Sequence, residues 1–418
     1  MSKYVVNGGK KLRGKIDIQG AKNSALPILA ATVLCRGTCV LHNCPQLSDV
    51  NASVNILRHL GCQCEVNKNT VKVNTSTLHC SYIPDELMRE MRSSIIFLGA
   101  ILGKCGNAVI SSPGGCELGP RPIDLHISSL KKLGAVINES HGLIEFSAPN
   151  GLFGTEINLS FASVGATENI ILAAVTAKGT TVIHNAAKEP EICDLAQFLN
   201  SCGAKIQGAG NAKIKIIGVP ELSGCTHAVL PDRIVAASYM SAAAITGGEI
   251  LLNNVVPSHL TAINAVFEEC GCLIKCSKNS IHFIAPEKLN RVSCIRTTIY
   301  PGFPTDAGPL ILTMLCRAKG TSIMIENIFE NRFRYIDELK RFGANVKTEG
   351  KIAIIEGVKS LSGAPCRCTD LRGGAALVVA ALAAQGKSVI SDIYHINRGY
   401  ENFDECLQNL GADIKVTL

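Results

Sequence analysis

Tryptophan is absent from this chain, and aromatic residues of all kinds make up only 5% of its 418 residues. With 12 Phe and 7 Tyr, the interior must be filled by Ala, Val, Ile, Leu and the 19 cysteines. Charged residues are sparse as well, at 18% against 47% apolar, which excludes a mostly disordered or fibrous chain. No apolar run approaches the ~20 residues that a bilayer requires. The longest stretch free of charged or strongly polar side chains runs from Gly373 to Ala384, twelve residues. Met1 to Gly20 holds no apolar signal core. A cytoplasmic protein without a membrane partner is expected.

Blocks of consecutive Lys and Arg are also missing, and few aromatics are present to stack on bases, which argues against nucleic acid. The net charge of +7 suits a small anionic ligand instead. There is no phosphate-cradling G-x-x-x-x-G-K, no H-E-x-x-H and no dinucleotide fingerprint, so no cofactor is expected. Pairs such as Cys62/Cys64, Cys270/Cys272 and Cys366/Cys368 have C-x-C spacing, with no C-x-x-C pairs to build a structural zinc site. The spacing predicts no metal, and most cysteines should be reduced, buried and packed as small hydrophobes.

What is present is a repeat. Six stretches open with Gly and a β-rich run, at Gly37, Gly106, Gly179, Gly248, Gly320 and Gly386, spaced by 69, 73, 69, 72 and 66 residues. Each is followed by a loop and an amphipathic helix ending in Gly: Gly61, Gly134, Gly203, Gly271, Gly343 and Gly411. Glycine just past a helix is the usual left-handed cap. A more apolar helix precedes each unit, at 23–34, 92–103, 165–177, 232–246, 306–317 and 372–384. Apolar nearly all round, these six should be buried. Six units exceed one ordinary core, so the expected architecture is α/β, with three units in each of two halves.

The buried helices begin with polar residues: Lys22 and Asn23, Arg92, Ser163 before Gly165, Asp232 and Arg233, Asp306, and Asp370 with Arg372. Capping accounts for Asn23, Asp232 and Asp306 one at a time. Lys22, Arg92, Arg233 and Arg372 do not fit that explanation, because a cation at a helix start opposes the dipole by about 0.3–1 kcal/mol. A polyanion in a cleft lined by such helix starts would reverse the sign. Arg332 and Arg398 each lie 12 residues after their unit's Gly, and Arg121 lies 15 after Gly106. Arginine suits bidentate recognition of carboxylate and phosphate. The loop from Ser112 to His126 surrounds one thiol with three glycines and three prolines, and Arg121 nearby favours thiolate, making Cys116 the reactive candidate. His126 has no Ser or Cys partner in a dyad and reads equally as a binding or packing residue.

Seven motifs then resemble one family, in order and over essentially the whole chain. They are Gly20-Ala-Lys-Asn-Ser-Ala-Leu-Pro27, Pro113-Gly-Gly-Cys-x-x-Gly-x-Arg-Pro-x-Asp-x-His126, Ser163-Val-Gly-Ala-Thr167, Phe303-Pro-Thr-Asp306, Glu330-Asn-Arg-Phe333, Thr369-Asp-Leu-Arg372 and Tyr394-His-Ile-Asn-Arg-Gly-Tyr400. Together they resemble the UDP-N-acetylglucosamine 1-carboxyvinyltransferase family of enolpyruvyl transferases. The resemblance implies an inside-out α/β barrel with two domains, 22–229 carrying the Cys116 loop and 1–21 plus 230–418. It implies transfer of the enolpyruvyl group from phosphoenolpyruvate to the 3-hydroxyl of UDP-N-acetylglucosamine, opening peptidoglycan synthesis, with domain closure bringing the Cys116 loop over the reacting carbons. By match to the motifs, Cys116 would donate a proton, bond covalently to phosphoenolpyruvate and be alkylated by fosfomycin. Asp306 would be the general base. Lys22, Arg121 and Arg398 would hold phosphate and carboxylate above a charged floor of Arg92, Arg332, Asp370 and Arg372. Asn23, Pro122, Ile123, Asp124, Leu125, His126, Ser163, Val164, Gly165 and Ile328 would position the nucleotide-sugar. Phe161, Val235 and Gly308 depart from the common pattern, where Lys, an acidic residue and Gln are usual. The rivals are a 5-enolpyruvylshikimate-3-phosphate synthase, which lacks the thiol loop, and a silent paralogue that binds nucleotide-sugar.

Overall fold

Long runs of small aliphatic residues with polar residues only at their starts cannot lie on a surface, and here they form the interior. A computed structural model describes residues 2–111 and 123–417. These divide into two compact units, 20–111 with 123–230 and 2–19 with 231–417, each with its own apolar core.

In the 20–230 unit the buried helices are Lys22–Thr32, Phe97–Cys105 and Val164–Ala174. In the other they are Arg233–Thr246, Gly308–Leu315 and Leu371–Ala383, all three packed on one another. Three four-stranded sheets surround each trio, giving an inside-out α/β arrangement whose wall is three separate sheets. Two predicted helices start differently. Residues Arg92–Ile96 and Thr305–Ala307 are 3₁₀ turns that lead into the helices at Phe97 and Gly308. The six outer helices end at glycines whose φ lies between 83° and 105°, the left-handed region that a side chain would strain. Close approach explains another glycine. A Cβ on Gly99 would sit 2.4 Å from the carbonyl oxygen of Asn169, so this glycine lets two buried helices touch.

Each sheet joins a strand, its hairpin partners and one parallel strand from the preceding repeat. In the 20–230 unit the strand Thr226–Ala228 returns to lie parallel to Thr38–His42, closing the ring of repeats. The other unit closes with residues from far away. Strand Arg13–Asp17 pairs in parallel with Glu249–Asn253, and Lys3–Asn7 inserts between Lys387–Ser391 and Asp413–Thr417. No helix among the described residues is long and apolar enough to cross a membrane.

Candidate active site

In the 231–417 unit the chemistry gathers at the start of the Gly308 helix. Asp306 lies in the 3₁₀ turn and makes no cap, so its carboxylate is available for other contacts, against the capping expectation. Its Oδ1 accepts from Arg332 Nη2 at 2.9 Å, and Arg372 Nη2 lies 3.5 Å from Oδ2. Both guanidinium groups are 3% exposed, whereas the carboxylate is 29% exposed. Arg332 Nη2 also donates to the Thr305 carbonyl at 3.2 Å, and the Arg372 guanidinium lies 5.4 Å from the centre of the Tyr400 ring. Among the described residues, Arg332 Nε and Arg372 Nε and Nη1 are buried without a hydrogen-bond acceptor. Leaving buried donors of a charged group unmade is costly, so such N–H groups point to an anion.

Asp370 is used locally. It caps the Leu371 helix, its Oδ1 accepting from Arg372 N at 3.1 Å and Gly373 N at 3.0 Å. That cap fixes the backbone from which Arg372 projects. Asp232 likewise caps its helix, accepting from Ile234 and Val235. Arg398 ends the turn Ile393–Arg398 and is half-buried. Ile328 belongs to a loop organised by a residue that no motif indicated. The buried Glu326 accepts from Ile328 N at 2.8 Å, Phe329 N at 3.0 Å and Thr305 Oγ1 at 2.8 Å. It therefore ties the loop leading to Arg332 to the turn that carries Asp306. Val235, one of the three departures, is 1% exposed in the core, where an acidic side chain would be desolvated. Gly308 is also buried, and a Cβ there would lie 3.6 Å from Met324 Sδ.

The 20–230 unit presents a second polar set. Lys22 is the first residue of its helix, and its Nζ lies 3.0 Å from Asp49 Oδ2, a buried carboxylate that sequence reasoning missed. Asn23 follows it within the helix and is exposed; the residue at the cap position is Ala21, so the capping expectation fails here too. Ser163 does cap, its side chain accepting from Ala166 N at 3.3 Å, with Val164 and Gly165 in the first turn. A Cβ on Gly165 would lie 3.2 Å from His126 Cε1, which places that imidazole against the helix start. His126 is buried, and burial lowers its pKa to about 4. Asn169 Oδ1 accepts from Gly99 N at 2.7 Å, so its Nδ2 donates to the Ile95 carbonyl and to His126 Nδ1 at 2.7 Å. The neutral ring therefore carries its proton on Nε2. Ile123 and Leu125 are half-buried and Asp124 is exposed around the start of the helix Asp124–Lys132. Arg92 opens the 3₁₀ turn before Phe97. Phe161 is exposed. Cys116, Arg121 and Pro122 lie outside the described residues.

The described cysteines are free thiols, most of them buried or half-buried. Three of them, Cys35, Cys39 and Cys202, bring their sulfurs within 4.8 Å of one another, a grouping that spacing in the sequence did not suggest.

Comparison with known proteins agrees with this architecture. The family model described as EPSP synthase (3-phosphoshikimate 1-carboxyvinyltransferase) matches residues 6–407. The chain is 49% identical over 414 residues to UDP-N-acetylglucosamine 1-carboxyvinyltransferase 2 of Caldanaerobacter subterraneus subsp. tengcongensis, covering 99% of each protein. It is 49% identical over 417 residues to UDP-N-acetylglucosamine 1-carboxyvinyltransferase 1 of Symbiobacterium thermophilum, covering 99% of this chain and 94% of that one. In fold it is similar to the enolpyruvyl transferase NikO of Streptomyces tendae, with a TM-score of 0.90 at 22% identity over 100% of this chain and 99% of that one. EPSP synthase of Acinetobacter baumannii follows at a TM-score of 0.77 and 21% identity, covering 100% of both. The shared repeats, the buried polar helix starts and this near-complete likeness place the chain in the enolpyruvyl transferase family, among the UDP-N-acetylglucosamine 1-carboxyvinyltransferases.

Proposed function

We propose that the chain is a cytoplasmic enzyme that moves the enolpyruvyl group of phosphoenolpyruvate onto the 3-hydroxyl of UDP-N-acetylglucosamine and releases phosphate. The observation that carries this reading is the Asp306 carboxylate set between two buried arginines that keep unpaired N–H donors. The sugar oxygen bonds to C2 of phosphoenolpyruvate while a proton is added to C3, giving a tetrahedral intermediate. Phosphate then leaves C2, a proton leaves C3, and the double bond re-forms.

Asp306 takes the hydroxyl proton, since its carboxylate is partly exposed and Arg332 and Arg372 fix its direction. Arg332, Arg372 and Arg398 offset the substrate's anionic oxygens; in a dry site, donors aimed at developing charge are worth several kcal/mol. In the 20–230 unit, Lys22 is a phosphate-binding cation held by Asp49, with Arg92 and Arg121 as further anion ligands. His126, with its Nε2 proton available, and Asn23, Ser163, Val164 and Gly165 address the nucleotide-sugar, together with Pro122, Ile123, Asp124, Leu125 and Ile328. Cys116 supplies the proton to C3.

Phosphate release from phosphoenolpyruvate, measured with UDP-N-acetylglucosamine and with shikimate 3-phosphate side by side, tests the reading. Release with the nucleotide-sugar alone is expected. Release with shikimate 3-phosphate alone would assign the chain to the other branch, and release with neither would leave it a binding protein.

A further inference from the structure

The cluster of Cys35, Cys39 and Cys202 in the 20–230 unit has no part in this chemistry, and its geometry has an independent meaning. Its members come from opposite ends of the unit. Cys35 lies on the strand Cys35–Arg36, and Cys39 on Thr38–His42. Cys202 ends the helix Pro190–Ser201, and Cys225 directly precedes the strand Thr226–Ala228. The sheet topology forces them together. Leu222 pairs in parallel with Cys35, Thr226 pairs with Val40, and Val40 N donates to the Cys225 carbonyl at 2.9 Å.

The sulfurs of Cys35, Cys39 and Cys202 all lie within 4.8 Å of one another, and Cys202 Sγ is 3.2 Å from Cys225 Sγ. Tetrahedral Zn–S bonds of about 2.3 Å place ligand sulfurs about 3.8 Å apart, so Cys35, Cys39 and Cys202 need only small shifts, while Cys225 would join them from its place beside Cys202. Three members are buried and Cys225 is half-buried, leaving one side of the group nearer to solvent. Among the described residues no other group of three metal-ligating side chains meets this closely.

We propose that Cys35, Cys39, Cys202 and Cys225 form a thiolate site for one soft tetrahedral metal ion, with Zn²⁺ as the divalent occupant. Thiolate ligands in this geometry select such ions over hard cations. Binding releases the thiol protons and forms sulfur–metal bonds with no change of oxidation state. The ion would join the first repeat of the unit to the third at the place where the ring of repeats closes. Its role is structural, and all of its ligands come from this one unit.

The test uses the full reduced chain, stripped of metal, with Zn²⁺ titrated against a chromophoric chelator and Co²⁺ as a spectroscopic probe. One equivalent of Zn²⁺ should bind and raise the melting temperature. Co²⁺ should give the intense sulfur-to-metal charge-transfer and visible bands of a tetrahedral thiolate site. Cys39→Ser and Cys202→Ser should each weaken uptake by more than the roughly 10–100-fold that loss of an outer-shell partner causes. Cys276→Ser, at an exposed thiol, should leave uptake unchanged. Undiminished uptake in both cluster variants overturns the site. If those variants fail to fold, the native Co²⁺ spectrum decides, because weak octahedral bands without sulfur charge transfer overturn it as well.

Discussion

The two units share one scaffold of three buried helices and three sheets but differ in how their buried cations are held. In the 20–230 unit several polar side chains near the helix starts are mated. Lys22 has Asp49, His126 has Asn169, and Asp194 accepts from Ser24 Oγ, Leu230 N and His227 Nε2. In the 231–417 unit two buried guanidinium groups hold one carboxylate and keep donors unused among the described residues. A mated group is rigid and recognises shape. A buried guanidinium with donors left over can take up charge that arrives later. On the function proposed above, the second unit supplies the base Asp306 and its two arginines, and the first supplies Lys22 for phosphate together with the groups that position the nucleotide-sugar.

The largest test of that division is removal of one member of the Asp306 and arginine group. Arg372→Ala and Asp306→Asn should each lower kcat by about 10²–10³, the range seen when one preorganised electrostatic group is lost, with the fold intact by circular dichroism. Activity within a few-fold of native in both would break the comparison. Glu326→Ala should next destabilise the chain by about 3–5 kcal/mol in urea unfolding, since two backbone N–H groups and the Thr305 hydroxyl lose a buried acceptor. A loss below 1 kcal/mol would show that the Arg332 loop does not depend on it.

The smallest effect concerns pH. Folding holds His126 near a pKa of about 4, against roughly 6.5 in an unfolded chain. Above pH 6.5 neither state binds this proton and the contribution is nil. As pH falls from 6.5 towards 4 the unfolded chain takes it first, so stability declines by up to about 3 kcal/mol. His126→Gln should flatten this part of the profile relative to native. Parallel profiles would show that the ring is not held neutral by burial.

Much of the architecture was legible because its signals are local. Helix-ending glycines, apolar helices and β-rich runs recur at a spacing that needs no partner to be read, and Gly61 and Gly411 take the expected left-handed φ. Ring closure was not legible from residue patterns, because the pairing of Lys3–Asn7 with Asp413–Thr417 leaves no trace in either segment. The same applies to the site. Asp306, Arg332 and Arg372 stood out as charges at helix starts and loop corners. Asp49, Asn169 and Glu326 did not, since a buried polar residue is defined by neighbours distant in sequence. Capping separated the candidates in a way that residue type could not: Asp232, Asp370 and Ser163 are caps, whereas Asn23 and Asp306 are not.

The Lys3–Asn7 strand also sets an order of events during synthesis. It leaves the ribosome well before both of its neighbours, Lys387–Ser391 and Asp413–Thr417, which lie far later in the sequence. At about 5–20 residues per second that strand waits on the order of tens of seconds for its partners. Residues 20–230 meanwhile contain every strand their own ring requires. Residues 20–230 can thus close their ring while the Lys3–Asn7 strand is still without its neighbours.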